Sequence, residues 1–212
     1  MAPDHLTAAE QQQRHYWDEH AASYDRSIGL LERRVIRDSR SWAAGQARGR
    51  TLEVAIGTGL NLQHYPDGVD LVGVELSPRM LAQARRRATE LSIGADLREG
   101  TATALDFADG SFDTVICTLS LCAIPDDQQA VAEMIRVLRP GGTLILVDHV
   151  VSSRRPLALA QRALDVWSVR HAGEHFTRRP IKHLYAAGLH ITHQDRYLAG
   201  IIERVTAVKP DW

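Results

Sequence analysis

Two registers of apolar and polar positions divide the chain. Up to about residue 48 it is polar and helix-prone, with Tyr16, Trp17, Tyr24, Ile28, Leu31, Val35 and Ile36 as spaced apolar anchors. From Thr51 onward, short β-rich runs alternate with stretches of helical period, the pattern of a parallel sheet with crossover helices. The runs predict strands at 51–56, 70–75, 95–99, 112–119 and 143–150, the fourth apolar enough for the middle of a sheet. After the second strand, Ser77 is a natural N-cap and Pro78 fits the first helical position. Leu81, Ala84, Ala88 and Leu91 then form the apolar face, with Arg85, Arg86 and Arg87 turned mostly to water. Val131, Met134, Ile135 and Leu138 mark another helix, which stops at Pro140-Gly141-Gly142. The last part reads as helices at 157–169 and 181–187 and two strands at 190–197 and 201–209, close enough in sequence to pair antiparallel.

The 212 residues suit one α/β domain, and 44% hydrophobic with 24% charged residues excludes a disordered chain. Lys plus Arg number 25 against 26 Asp plus Glu, so no overall basic footprint points to a nucleic acid. Cys117 and Cys122 are the only cysteines, which favours a reducing compartment. The first residues show no apolar targeting segment, and the most apolar stretch, 144–151, is broken by Asp148 and His149. A soluble, cytoplasmic protein without a stable membrane anchor is expected.

The segment Leu52-Glu53-Val54-Ala55-Ile56-Gly57-Thr58-Gly59-Leu60 carries most of the chemistry. A strand runs into a glycine turn where a backbone can approach a ligand, and a helix is expected to begin near Leu60. Glu75 ends the second strand, 22 positions after Glu53 (75 − 53), where a carboxylate can accept hydrogen bonds from both hydroxyls of a ribose. A dinucleotide fingerprint counted from Gly57 needs a third glycine at position 62, and Leu62 stands there. The ligand is therefore read as an adenosyl group without a diphosphate, with Glu53 facing a cationic amino-acid head.

On these and three further motifs the chain resembles class I S-adenosylmethionine-dependent methyltransferases of the methyltransferase-11 type, from about Tyr24 to Val150. The motifs are Val72-Gly-Val-Glu-Leu-Ser-Pro-Arg-Met-Leu81, Asp109-Gly-Ser-Phe-Asp-Thr-Val115 and Arg136-Val-Leu-Arg-Pro-Gly-Gly-Thr-Leu144. The resemblance implies an α/β, Rossmann-like, doubly wound sheet of seven strands, order 3-2-1-4-5-7-6, with strand 7 antiparallel. The polar, helix-prone segment 1–48 is read as a helical lid or cap, and 49–212 as the methyltransferase domain. The implied cofactor, S-adenosylmethionine (product S-adenosylhomocysteine), would meet Tyr24, Glu53, Ala55, Gly57, Gly59, Asn61, Glu75, Leu76, Met80, Gly100, Thr101, Ala102, Cys117 and Leu119. Ala55 stands where the family usually has glycine, a change expected to be tolerated. Thr101 stands near where the family often has an aspartate for the adenine amino group.

The acceptor is read as a small, apolar molecule. Cys117-Thr-Leu-Ser-Leu-Cys122 and Val147-Asp-His-Val150 resemble small alkyl-thiol methyltransferases of animal membranes, which points to a thiol. Tyr24-Asp25 and Leu138-Arg-Pro-Gly-Gly142 are shared with bacterial phosphatidylethanolamine N-methyltransferases and quinone C-methyltransferases, so a lipid or quinone-like acceptor is the alternative. An idle adenosyl-binding regulator is a further one. Base-methylating enzymes carry an Asn/Asp-Pro-Pro turn after strand four; its absence here argues against nucleic acid.

Each candidate catalytic residue has a second, plainer reading. His149, at the end of strand five, is a general base or a hydrogen-bonded histidine that shapes the pocket. His175 lies in a loop expected to cover the site and is a second base or a surface histidine. Tyr24 closes over the cofactor or packs in the core. Cys117 lies near the methionine part of the cofactor or is an inert buried thiol. No metal is expected, because His171 and His175 are separated by Gly173 and joined by no further ligand.

Overall fold

Seven strands form one sheet in the order β3-β2-β1-β4-β5-β7-β6. The computed structural model describes residues 6–211, and the backbone alone at 30–33 and 171–172. Leu31, Arg33 and His171 therefore lie outside the described side chains. The strands are β1 (Arg50–Val54), β2 (Asp70–Glu75), β3 (Ala95–Glu99), β4 (Phe112–Thr118), β5 (Leu138–His149), β6 (His190–Tyr197) and β7 (Ile202–Val208). The first five pair parallel, and β7 runs antiparallel to both β5 and β6, as expected.

The β period of two sorts the core onto both faces. On β4 and β5, Val115, Cys117, Leu144 and Leu146 join Val131, Met134, Ile181 and Leu184 of helices α5 (Asp127–Val137) and α7 (Ile181–Ala186). Ile116, Ile145 and Val147 face the other way, onto Ala43 of α3 (Ser39–Ala44) and nearby Ala47. A third cluster packs Leu81, Ala84 and Ala88 of α4 (Pro78–Glu90) over Leu71 and Leu97. Ser77 caps α4 by accepting from the Met80 amide at 3.1 Å, the cap read from sequence. Two further helices, α1 (Ala8–His20) and α2 (Tyr24–Leu31), precede a π-helical segment, Glu32–Ile36. Helix α6 (Arg155–Ala172) lies between β5 and α7 in the chain.

Three expectations are corrected. No α-helix begins near Leu60; a short 3-10 turn, Leu62–His64, ends at Tyr65, because the residue before Pro66 is pushed to extended geometry. Strand β5 starts at Leu138, so the chain passes from α5 into the sheet before Pro140. Arg85 and Arg87 are not simply solvated. Arg85 donates to the Leu97 carbonyl at 2.7 Å and Arg87 to the Thr58 carbonyl at 2.7 Å. Among the described residues, no helix is long and apolar enough to cross a membrane.

Candidate active site

The sheet order reverses between β1 and β4, and a crevice opens there beyond the carboxyl ends of the strands. It encloses about 830 Å³, its open mouth included. Its floor is the turn after β1. Ala55 has φ of 56° and Gly57 has φ of 60°, both left-handed. A methyl at Gly57 would meet nothing within 4 Å, so this glycine faces open space. Gly59 plays a different part. A Cβ there would come within 2.7 Å of Leu62 and 3.1 Å of the Ala84 backbone, so it lets the turn pack on α4. Ala55 does hold the left-handed conformation that its family position calls for, at the cost of about 1–2 kcal/mol expected for a residue with a Cβ.

Glu75 forms the side of the crevice at the end of β2. Its carboxylate accepts from the Gly57 amide and the Ser77 amide, each at 2.9 Å. Burial pushes its pKa up, against those amide hydrogen bonds. A carboxylate offers about four lone-pair sites, so these two bonds leave capacity for a diol. Leu76, Met80, Gly100, Thr101 and Ala102 continue this wall, and Leu119 stands opposite with Thr118 and Ser120.

Helices α1 and α2 roof the crevice with Glu10, Gln13, Trp17 and Tyr24. Trp17 and Tyr24 meet edge to face at 5.8 Å between ring centres. Asp18 accepts from the Ser77 hydroxyl at 2.5 Å, and Asp25 from the Thr58 hydroxyl at 2.6 Å. Glu10 completes a capping box with Thr7 and also accepts from the Thr101 hydroxyl at 2.5 Å. Burial opposes its charge, but hydrogen bonds from Thr101, Thr103 and Thr7 hold its pKa below the ordinary value.

Tyr24, Ala55, Gly57, Glu75, Leu76, Met80, Gly100, Thr101, Ala102 and Leu119 thus line one crevice. Glu53, Gly59, Asn61, Cys117, His149 and His175 are not on its wall. Glu53 stands beneath the floor, accepting from Asn61 at 2.6 Å and from the Tyr65 hydroxyl at 2.8 Å. Burial raises its pKa to about 7, against the pull of Tyr65, Arg40 and Asn61. Asn61 also donates to Thr118 at 2.9 Å, and Arg40 donates to Asn61 at 3.1 Å. Cys117 is a core residue, its thiol pushed well up by burial.

His149 and His175 belong to a second polar cluster at the end of β5. The His149 ring stacks on Phe176 at 4.8 Å, and its Nδ1 is buried without a hydrogen-bond partner. Asp148 accepts from the Cys122 amide at 3.1 Å, and the His175 amide donates to the Cys122 carbonyl at 2.8 Å. Burial, reinforced by Arg178, lowers the His175 pKa, which favours neutral imidazole. Donor atoms of Cys122, Asp148 and His149 lie within 4.8 Å of one another. Burial and the neighbouring Asp148 keep the Cys122 thiol protonated, and a metal would have to displace that proton.

Sequence reading missed Glu10, Trp17 and Arg40 as crevice residues. The spacing Thr7-x-x-Glu10 signals a helix start, but says nothing of where that helix docks.

A family model described as a methyltransferase domain matches residues 52–146. A phosphatidylethanolamine N-methyltransferase of Cereibacter sphaeroides is 39% identical over 146 residues, covering 68% of this chain and 71% of the relative. The chain belongs to the class I S-adenosylmethionine-dependent methyltransferases. A demethylmenaquinone methyltransferase of Renibacterium salmoninarum is 36% identical over 140 residues, covering 62% of this methyltransferase and 56% of the relative. Among solved structures, a methyltransferase of Thermotoga maritima described as a possible histamine N-methyltransferase superposes with a TM-score of 0.66 at 23% identity. It covers 92% of this chain and 99% of its own. A [4+2]-cyclase, SpnF, superposes at 0.68 with 20% identity, covering 82% of this chain and 79% of its own. At such identities the likeness is one of fold, and the cyclase shows that the fold alone does not name a reaction.

The cofactor of this methyltransferase is S-adenosylmethionine, and the crevice fits it. The space over Gly57 admits a chain close to the backbone, Glu75 offers acceptors for a ribose, and Leu76, Met80 and Ala102 give an apolar slot for a base.

Proposed function

We propose that this methyltransferase methylates a small apolar acceptor of the lipid or quinone-like kind. The observation that carries the reading is the apolar part of the crevice lining, to which Leu119, Ala123, Ile124, Pro125 and Trp17 contribute. The two named relatives act, by their names, on a phospholipid amine and a quinone precursor. Bound S-adenosylmethionine supplies a methyl group on a cationic sulfur. Glu75 holds the ribose, Gly57 leaves room for the methionine chain, and Arg40 offers a cation to its carboxylate. Glu53 keeps Asn61 and Tyr65 in position beneath the turn. Tyr24 and Trp17 close the roof and exclude water, so alignment and desolvation supply most of the rate. Within the N-terminal cap, helices α1 and α2 act as a lid, since their bonds run to Thr101, Ser77 and Thr58 on three sides of the crevice.

A thiol acceptor is the second reading. It is favoured by the buried, partnerless Nδ1 of His149, and it needs an acceptor that reaches past the crevice wall to that second polar cluster. Incubation with S-adenosylmethionine and a panel of thiols, amines, phospholipids and quinols, read by mass spectrometry, separates the two. Methylated lipid or quinol is expected; methylation confined to thiols would overturn the first reading in favour of the second.

A further inference from the structure

Helix α6 is built inside out. Among its described side chains two are buried, and both are polar: Gln161 and Ser168. Gln161 accepts from the Ser152 amide at 2.6 Å and donates to the Val150 and Phe176 carbonyls at 3.0 and 3.2 Å. Ser168 donates to the Glu174 carbonyl at 2.8 Å, and Asp165 accepts from the Phe176 amide at 2.5 Å. With 3.6 residues per turn, Leu159, Ala163, Val166 and Trp167 fall on the opposite side. There Leu159 is 63% exposed, Val166 69% and Trp167 61%; Leu157 and Leu164, at 40% and 45%, widen the patch. A helix normally turns such residues inward, so an apolar face this broad marks a surface that meets something.

The charges indicate what it meets. Arg155, Arg162 and Arg170 are all exposed on the side of the apolar face, while the one acid of the helix, Asp165, is turned inward and bonded. Exposed Leu, Val and Trp flanked by Arg, without an exposed acid, match a helix lying in the headgroup region of an anionic bilayer. A second copy of the chain is a poorer occupant. The helix is about 27 Å long and about 10 Å wide, which gives roughly 270 Å², against about 800 Å² per partner in a stable interface.

We infer that α6 docks this methyltransferase onto anionic membrane surfaces. The position suits that task. Phe176 and Thr177, held by Asp165, lead to Arg178, whose guanidinium donates to the Ile124 carbonyl at 2.5 Å and the Pro125 carbonyl at 2.9 Å. Ile124 and Pro125 belong to the apolar lining of the crevice, so the docked face is joined to that lining by one short loop. The inference deepens the lipid or quinone-like reading and rests on it for its biological sense, but its test does not use turnover.

The test is co-sedimentation of the full chain with vesicles of phosphatidylcholine alone and of phosphatidylcholine with phosphatidylglycerol. Binding is expected to the anionic vesicles, weakening with salt, with a blue shift of Trp fluorescence that Trp167→Ser removes. Leu159→Ser with Trp167→Ser is expected to lower vesicle affinity at least about tenfold. Both positions are exposed, and unchanged S-adenosylhomocysteine binding shows that the variant is folded. No binding by the wild type, equal binding by the double variant, or dimerisation through this face without vesicle binding would each overturn the inference. If the acceptor screen returns only thiols while vesicles still bind, the acceptor reading fails and the docking surface stands.

Discussion

The carboxylate of Glu10, on the first helix, accepts from the hydroxyl of Thr101 at 2.5 Å, joining two positions 91 residues apart. It also accepts from Thr103 and from the amide and hydroxyl of Thr7. One side chain thus fixes the start of α1 and fastens that helix over the Thr101 end of the crevice. Glu10→Ala removes both connections. The Thr7 cap on the residue-10 amide remains, and each lost hydrogen bond to the carboxylate costs about 1.5–3 kcal/mol. Hydrogen exchange over residues 8–20 is expected to speed up, and S-adenosylhomocysteine is expected to bind several-fold more weakly. Unchanged protection over that helix would mean that it is held by its other contacts.

Glu53 makes stability fall as pH rises. Its folded pKa of about 7 lies above the ordinary 4.5, so between those values the native state holds a proton that the unfolded chain has released. Stability is highest below pH 4.5 for this group and drops through the window up to about 7, by about 3 kcal/mol in all. Urea unfolding from pH 5 to 7.5 should show Glu53→Gln with a flatter slope than wild type. Equal slopes would place the Glu53 pKa in the ordinary range.

Both thiols should be inert in the native protein. Burial pushes Cys117 and Cys122 well above the ordinary thiol range, and Asp148 reinforces the effect. The thiolate is the reactive form, so a disulfide reagent at pH 8 should label neither site until the chain unfolds, and then both. Rapid labelling of one thiol in the native state would make it a candidate participant in chemistry.

The sheet was legible because its signals are local. Ser77-Pro78 announces α4, alternation assigns Val115 and Ile116 to opposite faces, and the glycine turn with Glu75 outlines the crevice floor. What escaped was set by long-range contact. Arg87 reads as a solvated helix residue until Thr58 and Asp25 come within reach of it. Glu53 reads from sequence as facing a cationic amino-acid head, yet Tyr65 and Asn61 claim it beneath the floor. Helix α6 was legible as a helix, but the side it turns outward was not: Leu159, Val166 and Trp167 lie on the outside.

The central claim is that Glu75 holds the ribose of S-adenosylmethionine at the end of β2. Isothermal titration of S-adenosylhomocysteine into wild type, Glu75→Gln and Glu75→Ala tests it most directly. Loss of hydrogen bonds to a charged group predicts about 1.5–3 kcal/mol weaker binding for Glu75→Ala. A 2′,3′-dideoxy analogue should bind wild type weakly and gain nothing from an intact Glu75. NADH, which needs a glycine where Leu62 stands, should not bind detectably. Equal affinity of wild type and both variants for S-adenosylhomocysteine would contradict the claim.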